Sequence, residues 1–169
     1  EVVDGLRGPR DSLAYVRFHR CVYRVIHWME QQCNAGQPVR TPLALAQLEL
    51  AWQQAGPVGH GFEPYYRRMA EEMVAAMVTY LAEELGEPVR AEWQVEINGR
   101  IVTLTPDRIV LEPDGSVRVQ RLRTGRKTKA EPNKELYGLY AAGARARYPN
   151  RPLQLETLYL GTQEVVPVD

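Results

Sequence analysis

Apolar residues recur along the first half of the chain at spacings of three and four. Tyr15, Phe18, Val22, Val25 and Met29 form one such series, the period of an amphipathic helix. Asp11 or Ser12 can cap it and Asn34-Ala35-Gly36 ends it, which predicts a helix over about 12–33. Thr41-Pro42 is a cap followed by proline at the first helical position. With Leu45, Leu48 and Trp52 it predicts a second helix over about 42–54. Gly56 to Gly61 reads as a loop. A third helix is expected over about 63–85, with Tyr66, Met69, Met73, Met77 and Tyr80 on one face and Gly86 and Pro88 as its stop.

Beyond Pro88 the period changes to two. Val89, Ala91, Trp93, Val95 and Ile97 alternate with Arg90, Glu92, Gln94 and Glu96. Asn98-Gly99 is the signal of a type I′ hairpin, so a strand over about 89–97 is followed by one over about 100–111. Pro113-Asp114-Gly115 turns the chain into a third strand, about 116–123, which Thr124-Gly125 breaks. After a basic loop, Pro132 opens a helix over about 132–147, with Leu136, Leu139, Tyr140 and Gly143 facing inward. Strands over about 153–160 and 164–168 complete the chain. Helices, a β-meander, a helix and more strands make an α+β domain.

Length allows one domain with a real core, 169 residues in all. The expected division is a helical part, 1–88, and a sheet-bearing part, 89–169. Glu1 in the place of an initiator Met predicts a piece of a longer protein. No apolar run approaches the roughly 20 residues of a membrane span, and no secretory signal is present, so a cytoplasmic location is expected. Cys21 and Cys33 fall about 18 Å apart on one helix at ~1.5 Å per residue, too far for a disulfide. Both are expected as buried thiols in a reducing compartment.

Lys plus Arg and Asp plus Glu each number 21, so global charge says nothing about a nucleic-acid partner and local charge has to. Arg118, Arg121, Arg123, Arg126, Lys127 and Lys129 fall within 12 residues without an acid among them. Such a run is ordinarily a solvated face, and it can also neutralise phosphates. His27 and His60 have no partners at metal spacing. The Met69, Met73, Met77 stripe reads as core packing. Cys21 has no catalytic histidine context, and no nucleophile elbow or phosphate-binding glycine loop is present.

Four segments carry a resemblance. Leu104-Thr105-Pro106-Asp107-Arg108-Ile109 lies on the hairpin. Arg121-Leu122-Arg123-Thr124-Gly125 lies on the next strand. Leu136 to Tyr140, followed by Ala141-Ala142-Gly143-Ala144, lies on the helix, and His19 lies upstream. Their order and spacing resemble the PD-(D/E)XK nucleases of the RecB-type, helicase-linked branch. These carry Gly-x-x-Asp-Arg-Ile, Asp-x-Lys-Thr-Gly, Gln-x-x-x-Tyr and an upstream histidine in the same places. The resemblance implies a restriction-endonuclease-like core of β-meander, helix and strand behind an N-terminal helical portion. In that branch two carboxylates hold magnesium, with the histidine as an added ligand.

Here the second carboxylate position is Arg121, the lysine position Arg123 and the glutamine position Leu136. Magnesium wants hard oxygen ligands, and an arginine stays protonated and repels it. The resemblance therefore implies a degenerate site, His19, Asp107, Arg121, Arg123 and Tyr140, with no metal and no other cofactor, and an Asp107–arginine ion pair where the metal would sit. It further implies a nuclease-dead domain of a superfamily 1 helicase in DNA repair. That domain would bind or guide DNA, expected as a single strand, through Arg118, Arg121, Arg123, Arg126, Lys127 and Lys129, beside the helicase motor domains and with no membrane partner. Two rivals stand beside it. One is an active magnesium-dependent nuclease with a rearranged site of Asp107, His19 and Glu92. The other is a protein-interaction module.

Overall fold

A computed structural model of the chain describes residues 9–125 and 133–168, with side chains from residue 13 onward. The element order is three helices, five strands, a helix and two strands. The chain divides into two compact units at Glu83/Glu84. That boundary lies a few residues ahead of the expected one, because the segment after the third helix already belongs to the sheet.

The first unit consists of α1 (Pro9–Asn34), α2 (Thr41–Ala55) and α3 (Glu63–Glu83). The first begins at Pro9, ahead of the Asp11–Ser12 cap that the sequence suggests. Its buried face is Phe18, Val22, Val25 and Met29, widened by Cys21 and Ile26. Leu48 and Trp52 of α2 and Tyr66, Met73 and Met77 of α3 complete the core. Met69 and Tyr80 are half-buried, and Ala70, Val74 and Leu81 take their place inside. Glu63 ties the loop before α3: one carboxylate oxygen accepts from Trp52 Nε1 at 2.9 Å and the other from the Gly59 amide at 2.7 Å. Both cysteines are free thiols. Cys21 is buried, as expected, and burial pushes its thiol pKa up; Cys33 is only half-buried.

In the second unit the meander differs from expectation. The two long strands expected at 89–97 and 100–111 are each broken in the middle. The pieces are β1 (Glu87–Val89), β2 (Trp93–Ile97), β3 (Arg100–Leu104) and β4 (Arg108–Leu111). β2 and β3 form a separate two-stranded sheet closed by Asn98 and Gly99, both at positive φ, as a type I′ turn requires. β1 and β4 join the main sheet, whose order is β1-β4-β5-β6-β7, with β5 (Val117–Arg123), β6 (Leu153–Tyr159) and β7 (Glu164–Pro167). Among the described strands only β5 and β6 run parallel, and α4 (Lys134–Arg147) lies between them in the chain. Pro88 and Pro167 lie in the two edge strands, where a missing N–H costs no ladder bond.

The break has a register. Val89 pairs with Ile109 and Trp93 with Leu104, which leaves 90–92 on one side and 105–108 on the other. The second side has one residue more, and that is a bulge. Side chains alternate with period two. In an unbroken strand, Leu104 would share its face with Pro106 and Arg108, and Asp107 would point away. With the extra residue, Leu104 and Ile109 enter one core with Trp93, Val117, Val119, Tyr137, Tyr140 and Ala144. Asp107 joins the face that α4 covers, and Arg108 turns to the opposite one.

α4 presents Tyr137, Tyr140, Ala141, Gly143 and Ala144 to that core, while Leu136 and Leu139 are half-buried at its margin. Pro132 lies outside the described residues. Asn133 is the cap, its side chain accepting from the Leu136 amide at 3.2 Å. Gly143 sits against the Trp93 ring so closely that a Cβ would lie 2.8 Å from Cε3.

Candidate functional site

Asp107, Arg121, Arg123 and Tyr140 come together at one end of the second unit, on the face of the main sheet that α4 covers. Val117 and Val119 of β5 pack into the α4 core, and Arg121 and Arg123 follow them at period two on the same face. Arg121 is half-buried and Arg123 exposed. Asp107 lies one residue beyond the Arg108–Gln120 pair that ends the β4–β5 ladder. Its Oδ2 accepts the N–H of Leu122 at 2.8 Å, so the carboxylate serves a backbone amide that the ladder does not reach. Asp107 is thus tied to the strand itself, a bond that the sequence did not announce.

The charges of this corner are felt by its two buried tyrosines. Burial first, then the Asp107 carboxylate, pushes the Tyr140 hydroxyl up to about 12, with Arg121 acting the other way. Burial also raises Tyr137, while its hydrogen bond with Thr157 and the charges of Arg121 and Arg123 draw it down. The two rings meet edge to face, centroids 6.1 Å apart. At neutral pH both hydroxyls are protonated and can donate. The end of β5 is pinned beyond the arginines: Leu160 N–H donates to the Arg123 carbonyl at 2.8 Å, and Gly161 lies against the Thr124 and Gly125 carbonyls.

Other candidates fall elsewhere. Arg118 has the opposite parity on β5 and joins a network on the far face of the sheet. It bonds Glu112 through Nε at 2.8 Å, Glu84 at 3.0 Å and Glu156 at 3.1 Å. Arg108, fully buried, bonds Glu84 at 2.7 Å and Gln120 at 2.5 Å, and Gln120 bonds Glu156 at 2.6 Å. Three carboxylates thus surround two guanidinium groups, so the charge of Arg118 is already engaged. Nothing in the sequence singled out this network; the alternation Val-Arg-Val-Gln on β5 shows that one face is polar, not that it is buried. Arg126, Lys127 and Lys129 lie outside the described residues. His19 belongs to the first unit, half-buried among aromatic rings, with Tyr15 at 5.1 Å and Tyr23 at 4.9 Å. Glu92 lies exposed in the bend between β1 and β2.

A family model for the PD-(D/E)XK nuclease superfamily matches residues 12–167. The chain belongs to the PD-(D/E)XK nuclease superfamily. No curated protein and no solved structure matches it. The mixed sheet behind an N-terminal helical portion is consistent with the restriction-endonuclease-like fold of that superfamily. Among the described residues, those at the motif's metal-ligand positions do not suit a cation: Asp107 accepts a backbone amide, and Arg121 stands on the same face. Among the described residues, no three His, Cys, Asp or Glu side chains come together as metal ligands. Among the described residues, no helix is long and apolar enough to cross a membrane.

Proposed function

We propose that this superfamily member is a nuclease-like domain that binds DNA without cutting it, and that its former metal corner holds a phosphate directly. The observation that carries the reading is the placement of Arg121 and Arg123 on the α4 face beside Asp107 and protonated Tyr140. A metal-dependent site needs excess negative charge here. This one offers a half-buried and an exposed guanidinium, a hydroxyl donor and one carboxylate. Guanidinium forks match phosphate oxygens. Such contacts position a strand and carry no sequence information, so binding is sequence-independent. Arg126, Lys127 and Lys129 stay in the proposed set on their charge alone, whereas Arg118, bound to three carboxylates, drops out of it. The helicase setting and a preference for single strands belong to the same proposal and rest on the motif resemblance.

The test is a nuclease assay beside a binding assay. Purified protein with magnesium or manganese should leave single- and double-stranded DNA intact while binding a labelled oligonucleotide at ~50 mM salt, in the range where phosphate contacts dominate. Cleavage that disappears in Asp107→Ala would overturn the reading in favour of an active nuclease. Absence of DNA binding would favour the protein-interaction reading. Arg121→Asp with Arg123→Lys and Leu136→Gln should restore manganese affinity by calorimetry, because it returns the second carboxylate and removes the repelling charge.

A further inference from the structure

The last turn of α4 and the chain after it carry arginines and no acid. From Leu136 to Leu155 the charged residues are Arg145, Arg147 and Arg151, and all three are exposed. Arg147 and Arg151 both lie against the ring of Tyr148, their guanidinium carbons 5.3 Å and 5.7 Å from its centroid. Tyr148 caps α4 and packs against the core beneath it, which fixes the ring. Among the described residues, none of the three arginines forms an ion pair.

The arrangement differs from a solvated helix end. Cations in a last turn complement the helix dipole, which accounts for Arg145 and Arg147. Arg151 lies beyond the cap, outside the reach of that effect, yet it converges on the same ring. A guanidinium stacked on an aromatic face keeps its in-plane N–H groups free to bond phosphate oxygens. Ordering two long side chains before binding also reduces the entropy lost on binding.

We propose that Arg147 and Arg151, ordered by Tyr148, form with the neighbouring Arg145 a second phosphate-binding patch for a nucleic-acid strand. It lies at the C-terminal end of α4, whereas Tyr140 of the Arg121–Arg123–Tyr140 corner stands at the middle of that helix. The Val117 amide bonds the Pro152 carbonyl at 2.8 Å, so this patch sits by the start of β5 and the corner by its end. From Tyr140 to Arg147 the helix rises about 10 Å, close to three phosphates of a B-form strand. The proposal shares with the function above only the premise that the ligand is nucleic acid; the residues are different.

The experiment is fluorescence anisotropy of a labelled oligothymidylate with the full chain over a salt series. Losing all three arginines to alanine should flatten the log–log salt slope by about two units, at about 0.7 per phosphate contact. The three Arg→Lys changes together should keep the slope, since charge is retained. Tyr148→Leu, which keeps the packing and the charge but dissolves the stack, should weaken binding with the slope little changed. An unchanged slope in the triple alanine variant, with wild-type circular dichroism, would overturn the patch. If Arg121→Ala with Arg123→Ala abolishes binding while the triple alanine variant leaves the slope unchanged, the corner stands and the patch is overturned. If that pair changes nothing while the triple variant flattens the slope, the patch stands and the corner reading fails. A labelled polyglutamate bound through the same arginines more tightly than the oligonucleotide would overturn the nucleic-acid assignment in favour of an acidic protein segment.

Discussion

A single side chain can take a structural role that its motif does not announce. The motif resemblance gives Asp107 the place of a metal ligand, yet its Oδ2 accepts the Leu122 amide and, after burial, its charge raises the pKa of Tyr140. The residue identities of this corner were legible in the sequence, as were the parity of Arg121 and Arg123 and the small residues of α4. The amide bond was not, because it depends on where a ladder ends. Tyr140 gives a pH test of the local environment. Its folded pKa of about 12 lies above the ordinary tyrosine value of 10.0. The unfolded chain therefore releases the proton first as pH rises. The associated stability is fully present below pH ~10 and is lost as pH climbs toward ~12. Two units amount to at most about 2.7 kcal/mol, an upper bound because residual solvent screening weakens the effect. Urea unfolding of wild type and Tyr140→Phe between pH 9 and 12 should show the wild type losing stability more steeply than the variant. Parallel curves for the two would refute this origin of the shift.

At the scale of elements, hydrophobic period identified every helix and found strands in the right regions, and it failed at one kind of feature. The expected strands at 89–97 and 100–111 contain no glycine or proline pattern that reports both breaks. Pro106 marks one and nothing marks the other. One extra residue at 105–108 moved Arg108 from the core face to the far face. A one-residue slip of that kind inverts every assignment beyond it. On α4 the expected Tyr140 and Gly143 do face inward, but Leu136 and Leu139 lie half-buried at the margin, because contact with the hairpin favours small residues and Ala141 and Ala144 turn in beside them. Two glycines of this helix test that argument with opposite signs. Around Gly138 a Cβ meets nothing within 4 Å, whereas at Gly143 it would meet Trp93 at 2.8 Å. Gly138→Ala should stabilise by up to about 1 kcal/mol through helix propensity. Gly143→Val should destabilise by about 1–3 kcal/mol through overpacking and should shift the tryptophan emission. Urea midpoints that move the same way for both would remove close packing as the reason for Gly143.

For the whole molecule, equal numbers of acids and bases conceal an uneven division of charge. On the far face of the sheet, Arg108 and Arg118 are consumed by Glu84, Glu112 and Glu156. On the α4 face, Arg121 and Arg123 stand beside Asp107, whose carboxylate accepts a backbone amide. A neutral molecule therefore binds a polyanion only through local charge, and proximity in sequence misleads about which charges take part. Arg118 and Arg123 are five residues apart on one strand, but one belongs to a buried network and the other to an exposed corner. Their alanine variants should separate completely. Arg118→Ala leaves three carboxylates facing one guanidinium in a largely buried network. Removing one partner of such a pair costs about 3–5 kcal/mol, so its urea midpoint should fall clearly, while the salt dependence of DNA binding by the folded fraction should not change. Arg123→Ala removes an exposed charge. Its stability should stay within about 0.5 kcal/mol of wild type, and its log–log salt slope on a single strand should flatten by about 0.7. Anisotropy over a salt series and urea unfolding of the same two preparations decide the matter. A flattened slope in Arg118→Ala at full stability would mean that the far face, not the α4 face, meets the nucleic acid.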